Sequence, residues 1–286
     1  MSVFEVTFYG TRGSSPAPGA EYNLYGGNTS CVLLRLDDRI FVLDAGTGII
    51  PLGHDIKKQG IRRFDILLTH AHYDHVQGLP FFVLLMEKGV DVTLWYAGSE
   101  DGRSSEEIID ALFSRPFLPF SRDDLKCNLT FRSLPHEGTL GLTPDITLKT
   151  APLNHPGGCT GLRFQAKNLS FIYAPDFEHD DGPADKALVE FLADADFAVL
   201  DATYTPDEYP ACSGFGHASW VKCMELAATA GLKRWALFHH AHHRTDNALC
   251  GIEKQTQAMD RRALVAREGL VFNVCSGAVT QAKVTL

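Results

Sequence analysis

Long hydrophobic runs are missing from this 286-residue sequence: the longest apolar stretches, such as LPFFVLLM at positions 79–86, are far too short to span a bilayer. That stretch suits a buried helix instead. A positive excess is also missing. The formal charge is −9 and is spread along the chain, so bulk attraction to nucleic acid or to an anionic membrane does not drive binding, and an anionic substrate must be met by a local positive site. No Pro/Gly/Ser-rich linker or low-complexity segment interrupts the chain, and 45% of it is hydrophobic, which predicts one domain over residues 1–286 with a full core. The seven cysteines (Cys31, Cys127, Cys159, Cys212, Cys223, Cys250, Cys275) are odd in number and lack a CxxC pair, which argues against a disulfide framework and a thiolate zinc site. The opening MSVFEVTFYG reads as a strand, not as a basic segment followed by an apolar run. The expectation is a cytoplasmic protein with no membrane partner.

Histidine is what the sequence has in quantity: twelve, most of them clustered at the ends of apolar segments. Short β-like runs predict strands over Val3–Tyr9, Cys31–Leu36, Ile40–Leu43 and Phe64–Thr69, the last followed by a helix from about Val76 to Lys88. Ser105, Glu106 and Glu107 start a helix over Ser104–Phe113, and a β-rich middle covers Leu129–Leu134, Ile146–Ala151, Gly161–Gln165 and Ser170–Ala174. The second half predicts helices at about Ala184–Ala193 and Ala218–Ala230, strands at Phe197–Leu200 and Trp235–Phe238, and a last helix before Val271–Val274. Meanders mixed with βα units predict an α/β fold of two mixed sheets face to face with helices outside.

The most informative segment is FDILLTHAHYDHVQGLPFF, a strand ending at His70 with His72, Asp74 and His75 in the loop before a helix. A His-x-His-x-Asp-His string arises by chance in on the order of one in a thousand chains of this length. His70 and His72, alternate residues at a strand end, point the same way and can grip one divalent ion, while Asp74 and His75, one turn on, can face a second. Two ions about 3.5–4 Å apart would share a bridging water, lower its pKa and yield hydroxide at neutral pH. The competing reading is a solvated His-rich loop.

Here the chain resembles the metallo-β-lactamase superfamily over nearly its whole length. The landmarks stand in order: FVLDAGTG with Asp44, THAHYDH, LNHPGG with His155, YAPDFEH with Asp176, and LFHHAHH with the last histidine. The resemblance implies an αββα four-layer sandwich with two metal sites. His70, His72 and His155 would hold one ion, Asp74, His75 and His239 the other, and Asp176 would bridge them. The last ligand lies among His239, His240, His242 and His243; register after the strand WALF favours His239, with His240 next. Asp44 is implied as a residue that orients the motif loop or a ligating imidazole, a role compatible with an Asp turn before Gly46 and Gly48. Nitrogen and oxygen donors suit Zn²⁺, Mn²⁺ and iron alike. The family's diiron oxidoreductases carry Glu where this chain has His72, which favours hydrolysis over redox chemistry.

The central motif is shared by lactamases, thiolesterases and glyoxalase-like hydrolases, so a substrate must be read from what surrounds it. LDATYTPDEYP, GFGHASW leading into a helix, and then LFHH are similar to the phosphodiesterase branch: the tRNA 3′-processing endonuclease RNase Z, the cyclic phosphodiesterases of phosphonate metabolism and class II-like cyclic nucleotide phosphodiesterases. The resemblance implies that His217 lies near the scissile phosphate, stabilising charge or protonating the leaving alkoxide, with Asp201 orienting it and Asp74 orienting the metal-bridged hydroxide. FYGTRGSSPAPG and YGGNTSCVLL add Arg12, Tyr25 and Asn28 as phosphate contacts or turn-shaping residues. Glu178 and His179, just after Asp176, line the pocket or face solvent. RNase Z usually has a Gly-rich arm that clasps tRNA, and no comparable basic insertion stands between Ser170 and His239, so a small or cyclic phosphodiester is the expected substrate. Other readings are the tRNA endonuclease, a hydrolase of carbon esters, thioesters or lactams, and a non-catalytic metal-bound sensor. The aromatic segment Phe113–Phe120 reads as an active-site lid, a core element or a homodimer contact.

Overall fold

In the computed structural model, which describes residues 3–98 and 100–282, the first half of the chain forms β1 (Phe4–Gly10), β2 (Arg12–Gly13), β3 (Cys31–Leu36), β4 (Arg39–Leu43), β5 (Arg63–Leu68), β6 (Asp91–Tyr96) and β7 (Asn128–Ser133). The second half adds β8 (Gly138–Thr143), β9 (Ile146–Leu153), β10 (Cys159–Ala166), β11 (Leu169–Ala174), β12 (Phe197–Asp201), β13 (Trp235–Phe238), β14 (His240–Ala241), β15 (Ala263–Val265), β16 (Leu270–Asn273) and β17 (Val279–Gln281). The helices are α1 (Ile49–Lys58), α2 (Tyr73–Val76), α3 (Ser105–Leu112), α4 (Pro183–Leu192), α5 (Tyr209–Cys212), α6 (Trp220–Thr229) and α7 (Asp246–Met259). All strands but the short parallel pair β2 and β14 fall into two mixed sheets, ordered β17-β16-β1-β3-β4-β5-β6-β7 and β15-β13-β12-β11-β10-β9-β8.

Sequence pattern explains the layers. Central strands such as FAVLD of β12 are buried along their whole length and need cover on both faces, so their apolar residues do not alternate. The parallel pairs β4–β5, β5–β6 and β6–β7, and later β11–β12, β12–β13 and β13–β15, each require a crossover, which puts helices on the outer faces. Phe8, Leu34, Phe41, Phe164, Phe171 and Phe197 fill the space between the sheets. A second cluster packs α4, α6 and α7 on one sheet, and a third packs α1 and α3 on the other. The two facing sheets with outer helices expected from the sequence are present.

One expected element is not. The helix expected from about Val76 to Lys88 ends at Val76, and two 3-10 turns, Leu79–Phe81 and Val83–Met86, take its place. Pro80 sits in the first turn, and Phe82 is extended between the two, which stops helical propagation. LPFFVLLM is still largely interior: Leu79, Phe82, Leu84 and Leu85 are buried, and Phe81 is exposed. The segment Phe113–Phe120 divides similarly, with Phe113, Leu118 and Phe120 packed on the third cluster and Phe117 exposed. Among the described residues, no helix is long and apolar enough to cross a membrane.

Candidate metal centre

Several parallel strands end at the same edge of the sandwich, and each delivers a polar residue just past its last apolar one. Asp44 follows β4, His70 follows β5, His155 follows β9, Asp176 follows β11, Asp201 closes β12 and His239 follows β13. The THAHYDH loop adds His72 before α2 and Asp74 and His75 within it. All of these except His72 are buried. Ligand atoms of His70, His72 and His155 lie within 4.8 Å of one another, as do those of Asp74, His75 and His239 and those of His70, His75 and Asp176. The first two sets coincide with the two sites the resemblance implies. Asp176 Oδ2 lies 3.6 Å from His70 Nε2, 3.7 Å from His155 Nε2 and 3.4 Å from His239 Nε2, and its Oδ1 lies 3.3 Å from His75 Nε2.

The donor set fits cations. His155 donates its Nδ1–H to the Gly216 carbonyl (2.7 Å), and His75 donates its Nδ1–H to Asp44 Oδ2 (2.8 Å). Their Nε2 atoms then face other imidazole nitrogens: His155 Nε2 stands 3.0 Å from His72 Nδ1, and His75 Nε2 stands 3.3 Å from His239 Nε2. Two ring nitrogens this close need a proton or a metal cation between them. His70 Nε2 is buried with no hydrogen-bond partner among the described residues. Burial holds His70, His72 and His155 below the usual imidazole range, so they are neutral, as ligation requires. His75 goes the other way: burial opposes its charge, but the carboxylates of Asp176, Asp74 and Asp44 attract a proton to it. A dication among those carboxylates would take that proton's place.

Residues behind the ligands fix their orientation. Asp44, at φ 60°, accepts from the Thr69 N–H (2.8 Å), the Thr69 hydroxyl, the Tyr173 hydroxyl (3.0 Å) and His75. Asp74 Oδ2 accepts from the Ser14 N–H at 2.7 Å. Thr203 sits between His239 Nδ1 (3.0 Å) and Asp201 Oδ1 (2.8 Å). Asp201 Oδ2 in turn accepts from His217 Nδ1 at 2.7 Å. The His217 ring stacks on His239 with centroids 4.6 Å apart, and its Nδ1 is 3.9 Å from Asp176. Burial disfavours charge on His217, but the Asp201 carboxylate outweighs it and raises the imidazolium to about 9. A cavity of ≈ 350 Å³ opens beside this cluster, lined by His70, His72, Tyr96, Glu100, Arg103 and Gly157 among others.

Other candidates are not brought to the cluster. Arg12 is fully buried and donates to the carbonyls of Gly26 (2.6 Å) and Arg244 (2.6 Å). The Asn28 N–H (2.7 Å) and side-chain amide (3.1 Å) both donate to Glu268. The Tyr25 hydroxyl donates to Glu253. The His179 ring lies against Tyr209 with centroids 4.0 Å apart, and among the described residues it belongs to no group that could hold a metal ion. His240 turns its Nε2 to the Ala266 carbonyl at 2.8 Å, leaving His239 to face the centre. Sequence reading missed Thr69, Tyr173, Thr203, Ser14 and the Gly216 carbonyl. Thr69 and Thr203 at least stand next to or two residues from motif positions; Tyr173 carries no local signal, and Ser14 and Gly216 act through the backbone.

A family model described as the beta-lactamase superfamily domain matches residues 39–240. The chain is 24% identical over 288 aligned residues to the ribonuclease Z of Bradyrhizobium diazoefficiens, covering 83% of this chain and 89% of that protein. Among solved structures it is similar to the metallo-beta-lactamase fold protein YhfI from Bacillus subtilis, with a TM-score of 0.73 at 18% identity over 95% of this chain and 99% of the other. It is also similar to a diphosphatase from the PhnP family, with a TM-score of 0.67 at 18% identity over 99% of both chains.

Proposed function

Because the chain belongs to the beta-lactamase superfamily domain family, we propose that it is a two-metal phosphodiesterase that hydrolyses a small or cyclic phosphodiester, such as a cyclic nucleotide, to a monoester. The observation that carries this is the placement of the His217–Asp201 pair, joined at 2.7 Å, beside a seven-residue donor set. Residues 1–286 act as one domain, since both sheets supply donors. His70, His72 and His155 would hold one ion and Asp74, His75 and His239 the other, with Asp176 beside both sets. Two divalent cations, Zn²⁺ or Mn²⁺, supply Lewis acidity toward the diester oxygens and lower the pKa of the attacking water when bound.

The protein's own groups complete the reaction. Asp74, held by the Ser14 N–H, orients the attacking water. His217, kept protonated by Asp201, donates a proton to the leaving alkoxide, so one P–O bond forms and one breaks; an acyclic diester releases an alcohol, and a cyclic one keeps the new hydroxyl on its monoester product.

The ribonuclease Z relatives favour a second reading, an endonuclease that cuts tRNA precursors at their 3′ end. The net charge of −9 favours the small substrate. Incubating the metal-loaded protein with 2′,3′- and 3′,5′-cyclic nucleotides and, separately, with a precursor tRNA decides between them. Cleavage of a cyclic diester with the tRNA left intact supports the proposal; tRNA cleavage with the cyclic diesters untouched overturns it in favour of the nuclease.

A further inference from the structure

Two residues after Asp176, the carboxylate of Glu178 does a job that nothing in the ligand pattern calls for. It is half-buried and accepts four hydrogen bonds from one stretch of chain: from the Gly214 N–H (2.7 Å), the Ser213 hydroxyl (3.2 Å) and the Tyr209 hydroxyl (3.2 Å) on Oε1, and from the Gly216 N–H (2.8 Å) on Oε2. Its backbone is tied as firmly to the residue before His155: the Glu178 N–H donates to the Asn154 carbonyl (2.8 Å), and the Asn154 side chain donates to the Glu178 carbonyl (2.8 Å).

Besides the clamp, the stretch is held among the described residues by the Phe215 N–H, which donates to the Cys212 carbonyl (3.1 Å). Ser213, Gly214 and Phe215 are exposed, and Gly214 and Gly216 take φ of 92° and 87°, a region that side chains resist. Yet its last carbonyl, that of Gly216, fixes the tautomer and the plane of His155, and the next residue is His217. A Cβ on Gly216 would lie 2.5 Å from His155 Nδ1, so the approach is close as well as directional.

We propose that Glu178 is a positioning residue that locks the Ser213–Gly216 loop, so that one carbonyl orients His155 toward its ion while the same loop presents His217. The first half concerns metal binding alone; the second rests on the phosphodiesterase reading above. Because the loop contributes no buried apolar residue, loss of the clamp acts on the centre rather than on the fold.

The test is calorimetric titration of the metal-free full chain with Zn²⁺, alongside thermal midpoints and diester kinetics, for wild type, Glu178→Ala and Glu178→Gln. The account expects Glu178→Ala to weaken one of the two binding steps about 10–100-fold, the range for partners of metal ligands, with the other step and the thermal midpoint of the metal-free protein unchanged. The fall in activity should lie in kcat rather than KM. Glu178→Gln keeps one carbonyl oxygen but turns an NH₂ toward an N–H, so it should fall between the two. In a His155→Ala background the Glu178→Ala change should have no further effect on metal affinity, the sign that it acts through that ligand. Unchanged affinities and kcat in Glu178→Ala overturn the proposal, as does equal weakening of both steps with a lowered midpoint. If wild type cleaves no diester while Glu178→Ala still loses one step selectively, the positioning role stands and the phosphodiesterase reading falls.

Discussion

Each ligand in the centre is only as good as the partner on its far side. Asp44 shows this most sharply, because Thr69, Tyr173 and His75 all donate to one fully buried carboxylate. Asp44→Ala strands those donors, each at a cost of about 1–3 kcal/mol, and should lower the chemical-denaturation stability by several kcal/mol. Asp44→Asn keeps the left-handed backbone that Asn tolerates but offers an NH₂ where an acceptor is needed. It should stay folded and bind the ion at His75 more weakly, by about 10–100-fold, measured by titration of the metal-free protein. His217 makes a pH prediction. Its imidazolium, raised to about 9 through Asp201, survives neutral pH and is lost as pH rises through that value. The kcat profile should therefore fall on its alkaline side, and Asp201→Asn, which removes the charge that raises His217, should move that fall to lower pH. Bound dications depress the limb in both proteins, so the difference between them is what counts. An unmoved limb would detach His217 from Asp201. At this scale the sequence was eloquent about side chains and silent about backbone: the HxHxDH letters announced donor side chains that the structure brings together, whereas the Ser14 N–H and the Gly216 carbonyl carry no letter of their own.

At the scale of elements, the centre depends on strands ending together and on loops small enough to pass between them. Gly13, in β2, faces the His239 ring so closely that a Cβ would collide with it. Gly13→Ala should therefore displace His239 and abolish turnover while leaving His70, His72 and His155 able to bind one ion, which metal analysis of the variant checks; two ions and full activity would show that the ring can move aside. Strands such as β3, β11 and β13 were legible because continuous apolar runs bounded by polar residues have one reading. Elements that break their own propensity rules were not: α1 contains Pro51 and Gly53, and β8 contains Gly138 and Gly141, so neither was expected. The stretch at 79–86 erred the other way, since its apolar composition hid the helix-stopping effect of Pro80.

For the molecule as a whole, the sandwich gathers donors from loops more than 160 positions apart, as with His75 and His239 at 3.3 Å. The order of the landmarks in the sequence made that assembly readable, because each stands at the end of a predicted strand. The substrate was less readable, since it depends on the cavity beside His70 and His72 and on a fold whose net charge is −9. The central claim is that these donors hold the ions that make the chain cleave a phosphodiester. Its most direct test is hydrolysis of a chromogenic phosphodiester by the protein stripped of metal and titrated with Zn²⁺ or Mn²⁺, with Asp74→Ala in parallel. The account predicts no turnover in the stripped protein, activity that rises until two ions are bound, and a folded but inactive Asp74→Ala. Turnover that survives stripping, or two tightly bound ions with no diester cleavage, would contradict it.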